Sequence, residues 1–541
     1  MREKQNPHRR RFAKALLAVA WLVVLGIGLW LWNAFRDPAA LPAPGTAGAR
    51  ALGLLGSVPY SDPALVARVR ATRLVVLATF ACLAALGWLE RVRVAAAVRR
   101  FFTTHAYAID LAVFRIVVLW QAYRLTSFDS AAWVGDLPVG LQFPPDTGIP
   151  AVGPLTALAH WPPHVLTASQ MAVGHQAMAV AAVIGMLGCF SRLSAAVVAV
   201  FLFYVWGAFQ WYGKVDHHHH VLWFALVLAA SPCGDALSID ALFRRRRPAE
   251  PALAYGLPLR ICMLLMGVAY FFPGFWKIWR SGFDWFLGDA PFNQIHLKWH
   301  MIGNWMPAFR IDQHPWLVHG GALGTILFEL SFIFLIFGRR TIWLAAVAGV
   351  TFHTTLDVLM RHGFETLRNC YLVFVPWHGI LARLRLPAAS PGEGGIRRSA
   401  LPAALVGGAL ILANASAGAR RLQDGWPIAC YPLFDGILPD SYTTMLIVVV
   451  RPDGTEHEVM PDDYRQVFGT RWNHVLARIV AEEGGERRRE LLRLVWEVLT
   501  RADPTLPRPR AIRFYAVRTW ISPERWHEPP ADPELIGEVT L

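Results

Sequence analysis

Apolar segments of bilayer length dominate the chain. They fall near 13–33, 73–90, 106–125, 168–190, 193–212, 219–235, 257–278, 318–337, 341–360, 368–382 and 399–417. A spanning helix needs roughly 20 such residues, because in hydrocarbon every backbone polar group must find its partner inside the helix. The pattern predicts a mainly α fold, a polytopic helical membrane bundle with eleven spans. The shortest segments, 219–235 and 368–382, fit this length least well.

Charge supports the membrane reading. The 541 residues are 55% hydrophobic and only 17% charged, yet carry a net charge of +14. That excess does not read as a nucleic-acid surface, because the arginines cluster between apolar segments. With the N-terminus in the cytoplasm, the inside loops would hold Arg91, Arg93, Arg99 and Arg100, then Arg192, Arg244 to Arg247, Arg339 and Arg340, and Arg383, Arg385, Arg397 and Arg398. Loops on the other side, such as 127–167, are poor in basic residues. The expected protein is therefore a multi-pass component of the cell (inner) membrane with its C-terminus outside. Arg9-Arg-Arg before the first apolar run reads as an uncleaved anchor. The six cysteines form no CxxC or zinc spacing. Cys370 and Cys430 would share the outer side, and a disulfide between them is left open.

Three parts are expected. Residues 1–104 form an N-terminal pair of spans with a linker, 105–418 the main helical membrane domain, and 419–541 a small extracytoplasmic α+β domain. In the last part, Thr443 to Val450 and Glu456 to Met460 read as strands around the turn Pro452-Asp-Gly-Thr. Residues 462–483 and 487–501 have helical periodicity, and 511–521 alternates as a strand.

Polar residues inside spans are costly and are functional candidates by default. Only five of the 52 basic residues are lysines, so Lys277, at the end of an apolar span, is not there merely for charge. Unlike arginine, a lysine amine can give up its proton in apolar surroundings and serve as a base. It can also simply snorkel to the headgroups. Arg115 and Glu329 can be read as an interhelical pair that fixes packing. His353 and Asp357, one turn apart, are placed to hydrogen-bond each other. Gly274 suits close helix packing. The run Asp216 to His220, with His296 and His300, lacks a compact metal motif, so no metal is assigned.

Several strings occur in order: Leu111-Ala-Val-Phe-Arg115, Ser231-Pro-Cys-Gly-Asp-Ala-Leu-Ser-Ile-Asp240, Gly274-Phe-Trp-Lys277 followed by Asp284-Trp285, Phe328-Glu-Leu-Ser331 and Phe352-His353. Together they resemble the HTTM family, the membrane domain of vitamin K-dependent gamma-carboxylase and its bacterial relatives, over about 105–380. In the outer part, Val450-Arg-Pro-Asp-Gly-Thr, Arg471-Trp-Asn-His and the Phe514 to Ile521 strand look like the start of the carboxylase luminal region. The resemblance implies a lyase that couples oxygenation of reduced vitamin K (a phylloquinone or menaquinone hydroquinone) to carboxylation of glutamate in an exported peptide or protein, with oxygen and carbon dioxide as co-substrates. It implies that Lys277 deprotonates the hydroquinone, that His217 (or, by a slip of one, His218) assists, and that His353, Gly274, Phe275 and Trp276 lie beside the quinone. Where the carboxylase has two adjacent lysines, this chain has Trp276 before Lys277. Two other readings stay open. One is a quinone-linked membrane oxidoreductase or oxygenase that does not carboxylate, and the other is a non-enzymatic scaffold whose outer domain binds a partner.

Overall fold

The computed structural model describes all residues except 1–6, 44, 129–131, 143–165, 211, 213–217, 244–249, 385–398, 424, 431–433, 460–466, 481, 483–484, 506–508 and 541. Among its helices are α1 (Pro7–Ala34), α2 (Pro63–Leu89), α3 (Ala108–Phe128), α4 (Ala168–Met186), α5 (Ser191–Phe201), α6 (His219–Ala229), α7 (Leu253–Ser281), α8 (Ala290–Met301), α9 (Pro315–Leu335), α10 (Thr341–Met360), α11 (Glu365–Cys370) and α12 (Leu401–Ala419). The outer part adds α13 (Trp472–Val480) and α14 (Gly485–Ala502), with strands β1 (Ser441–Val450), β2 (Glu456–Glu458), β3 (Ala511–Trp520) and β4 (Glu534–Thr540).

Among the described residues, six helices are long and apolar enough to cross a membrane: α1, α2, α7, α9, α10 and α12. Helices α3 and α4 have 21 and 19 residues, and α3 carries Asp110, Arg115 and Arg124. Two expected spans are not continuous helices. The 219–235 segment is helical only to Ala229. The 368–382 segment breaks into α11, a 3-10 turn at Tyr371–Phe374 and a short helix from Trp377 to Arg383. Pro376 lacks the amide hydrogen that a continuing helix would need there.

Helix α7 is the axis of the bundle. About 67% of its apolar window is buried in protein, against 11% for α1. Glycines bring its neighbours close. A Cβ on Gly267 would lie 3.1 Å from Ile333 of α9, and one on Gly407 of α12 would lie 2.5 Å from Ile261. Small residues at such crossings allow backbones to approach where lipid supplies no hydrophobic drive. The α1–α2 hairpin docks on the far end of α7. Trp32 Nε1 and Arg68 Nε donate to Asp284 at 2.8 and 3.0 Å, and Arg73 Nε donates to the Trp279 carbonyl at 2.8 Å. Burial pushes the Asp284 carboxyl above its ordinary range, opposed by Arg68 and by the Trp32 hydrogen bond.

The C-terminal part packs at the same end. Its antiparallel sheet runs β2-β1-β3-β4, with Val449 opposite Ile512 and Ile512 opposite Val539. The inward residues Ile447, Val449, Ile512 and Phe514 meet Leu491, Leu492 and Val495 of α14. The same cluster continues into Leu141, Met171, Val205 and Tyr212, so sheet and bundle share one core. The sequence pattern predicts the first two strands, the helices and β3, but not β4.

Candidate functional site

Tyr270, Gly274 and Lys277 fall at i, i+4 and i+7 and so share one face of α7. Gly274 leaves room for α9. A Cβ there would lie 2.8 Å from Glu329 Cβ, so the glycine is what lets Glu329 reach Lys277. Lys277 Nζ donates to both Glu329 carboxylate oxygens, at 2.5 and 2.6 Å. The two residues are 2% and 6% exposed, and the Nζ also lies 5.3 Å from the Trp285 ring centre. Lys277 therefore does not snorkel; its ammonium end is buried against a carboxylate.

Glu329 forms part of the wall of a cavity. His219, His220, Trp223, Leu265, Met266, Ala269, Tyr270, Pro273, His353, Phe364 and Leu367 form the rest. The clear space is about 60 Å³, within about 570 Å³ of gap counted out to an open mouth. Pro273 has no amide hydrogen for the Ala269 carbonyl one turn back, which leaves a polar acceptor in a mostly apolar wall. Lys277 stands behind Glu329, so the group presented to an occupant is the carboxylate.

A relay of hydroxyls ends on His353. The Tyr371 hydroxyl donates to the Tyr270 hydroxyl at 2.9 Å, and Tyr270 meets His353 Nε2 at 2.6 Å. With its oxygen accepting from Tyr371, Tyr270 spends its own proton on Nε2. The ring proton of a neutral His353 then sits on Nδ1. That atom is buried and has no hydrogen-bond partner among the described residues.

Not every residue that the sequence singles out meets at this cavity. His217 and Asp216 lie outside the described residues. His218 Nδ1 meets the Thr366 hydroxyl at 2.9 Å, while His219 and His220 line the cavity. Phe275 packs on Phe80 and Trp279, and Trp276 donates to the Gly418 carbonyl at 2.8 Å; both point away from this cavity. The expected Arg115–Glu329 pair is not formed. Arg115 is fully buried and donates to the carbonyls of Cys233, Ala236, Met186 and Leu237, which ties the Ser231–Asp240 turn to α3 and α4. Nor does His353 bond Asp357, whose carboxylate accepts from Arg368 at 2.9 Å. Cys370 is a buried free thiol, so no bridge joins it to Cys430. Tyr270, Tyr371 and Trp223 do not stand out as site residues in the sequence. The i, i+7 spacing of Tyr270 and Lys277 is the one signal that points to any of them.

Fold and site define a polytopic helical membrane protein with a buried lysine–glutamate pair beside an apolar, histidine-lined cavity. Residues 158–373 match the family model of the HTTM domain. That stretch holds the histidine run, Lys277, Glu329, His353 and Tyr371. No curated protein and no solved structure matches this chain.

Proposed function

We propose that the protein is a vitamin K-dependent carboxylase-like membrane enzyme, with the Lys277–Glu329 cavity as its quinone site. The observation that carries this reading is a buried amine–carboxylate pair facing apolar walls inside an HTTM domain. The residues fit a reduced naphthoquinone: apolar walls from Trp223, Leu265 and Met266, an acceptor at Glu329, and Nδ1 of His353, which has no partner among the described residues. A whole ring exceeds the clear space, so the walls must part at the mouth when it enters. When bound, the reduced quinone would react with oxygen to supply the strong base that removes a glutamate γ-proton, and carbon dioxide would trap the carbanion.

The protein's own part is proton handling. A hydroquinone proton passes to the Glu329–Lys277 pair, which then holds one more proton and a net charge of +1 beside the anion left behind. With Lys277 already an ammonium, the Glu329 carboxylate is the group that takes the proton and Lys277 holds that carboxylate in place, while the apolar walls keep water from quenching the chemistry. His353 and Tyr270 orient the hydroxyl edge. His217 keeps the role of assisting histidine that its place in the family pattern suggests, and His219 and His220 line the wall. The arginine-rich loops favour a cytoplasmic N-terminus, which puts the Lys277 end and the sheet domain outside. An exported glutamate-containing peptide would approach from that side.

The test uses purified protein in nanodiscs supplied with reduced vitamin K or menaquinol, oxygen and a glutamate-containing peptide, with and without carbon dioxide. Wild type should form quinone epoxide, and Lys277→Ala should fall at least about 100-fold, because it breaks the pair that accepts the proton. Carboxylated peptide should appear only with carbon dioxide. Epoxide from both proteins alike would refute the role of Lys277. Quinone turnover that never yields carboxylated glutamate would favour the oxidoreductase reading.

A further inference from the structure

A second and larger cavity lies at the opposite end of α7. It has about 780 Å³ of clear space and is framed by the start of α7, the end of α9, the start of α10 and the loop before α3. Arg100, Arg260 and Arg339 border it, with His105 and His378. The one carboxylate among its lining residues, Asp110, is already used: it accepts from the Tyr107 and His378 amides at 3.1 and 2.9 Å. The three arginines have no carboxylate partner among the described residues. Arg100 donates to the Phe337 carbonyl at 3.3 Å. Among the described residues Arg260, half-buried, meets only the Met263 sulfur at 3.5 Å and the face of Phe101, 5.3 Å to its centre. A guanidinium so placed within a span is costly unless an anion meets it. Leu259, Met263, Ile342, Trp343 and Phe374 continue the wall as apolar surface.

We propose that this cavity binds an anionic phospholipid, with the phosphate headgroup on Arg260, Arg100 and Arg339 and the acyl chains along the apolar wall. Basic pockets between spanning helices recognise such headgroups, and each arginine is worth about fivefold in affinity. The apolar wall selects a lipid over a free phosphate, which would use only the charged end. The site is independent of the quinone reading, since it lies at the other end of the bundle.

Native mass spectrometry on the full-length protein, stripped in neutral detergent and titrated with phosphatidylglycerol or phosphatidylcholine, tests this. Phosphatidylglycerol should bind at least about tenfold tighter. Arg260→Gln should weaken it about fivefold and Arg260→Gln with Arg339→Gln about 25-fold, leaving phosphatidylcholine binding unchanged. A melting curve matching wild type shows the variants folded, and Arg192→Gln, away from the cavity, should change nothing. Equal binding of the two lipids, or undiminished binding in the double variant, would overturn the proposal. Displacement by millimolar glycerophosphoglycerol or inorganic phosphate would overturn the lipid assignment, because it would show that the headgroup alone suffices.

Discussion

Replacing Glu329 with glutamine should do more than remove a charge. With Nζ 2.5 and 2.6 Å from the carboxylate oxygens, the attraction is about 6 kcal/mol at an effective dielectric constant of about 20. Taking both ions out of water costs several kcal/mol each, so the pair contributes little net stability compared with apolar side chains of similar size. Breaking it is different. Glu329→Gln strands the Lys277 ammonium at 2% exposure, and Lys277→Met strands the carboxylate at 6%. Each single variant should lose about 3–5 kcal/mol. Lys277→Met combined with Glu329→Leu should return to wild-type stability or exceed it by about 1–4 kcal/mol, while abolishing turnover. Urea and thermal unfolding in nanodiscs, followed by tryptophan fluorescence, measures all four proteins. Two single variants as stable as wild type, or a double variant worse than either, would refute the buried pair.

Two further outcomes follow from the geometry. Gly274→Ala should cost about 1–3 kcal/mol by overpacking α7 against α9, and it should lower quinone turnover more than Ala→Gly changes on the lipid face of α1 do, since it displaces Glu329. His296 on α8 holds the outer domain: its Nδ1 meets the Ile521 carbonyl at 2.9 Å and its ring stacks on Trp526 at 4.8 Å. Burial holds the His296 pKa below its ordinary value, although Ile521 and Asp312 act the other way. The folded protein therefore resists the proton that the unfolded chain accepts. This contribution is fully present above about pH 6.5 and declines as pH falls from there to the folded pKa, by up to about 1.4 kcal/mol per unit. Hydrogen exchange around 521–526 should quicken across that window in wild type and lose this pH dependence in His296→Phe.

The membrane class and the polar candidates were legible in the sequence because charge is rare in apolar runs: Lys277, Glu329 and His353 stand out there. Their partners were not. Lys277 and Glu329 are 52 positions apart on different helices, and only tertiary packing at Gly274 brings them together. Arg115 looked like one half of an ion pair because a sequence displays charges and hides carbonyls, yet four carbonyls are what satisfy it. Eleven apolar stretches read as eleven helices because hydropathy does not register how Pro376 breaks a helix or how short α6 is. Strand β4, Glu-Leu-Ile-Gly-Glu-Val-Thr, lacks clean alternation and carries a glycine, so its pairing with β3 decides its structure.

The central claim is that the cavity beside Lys277 and Glu329 accepts a reduced quinone. Photo-crosslinking with a reactive menaquinone analogue, followed by peptide mapping, tests it most directly. Label should collect within 219–223, 265–273 and 353–367, and excess reduced vitamin K should suppress it. Label spread over the lipid-facing sides of α1 and α9, or unaffected by the competitor, would contradict it.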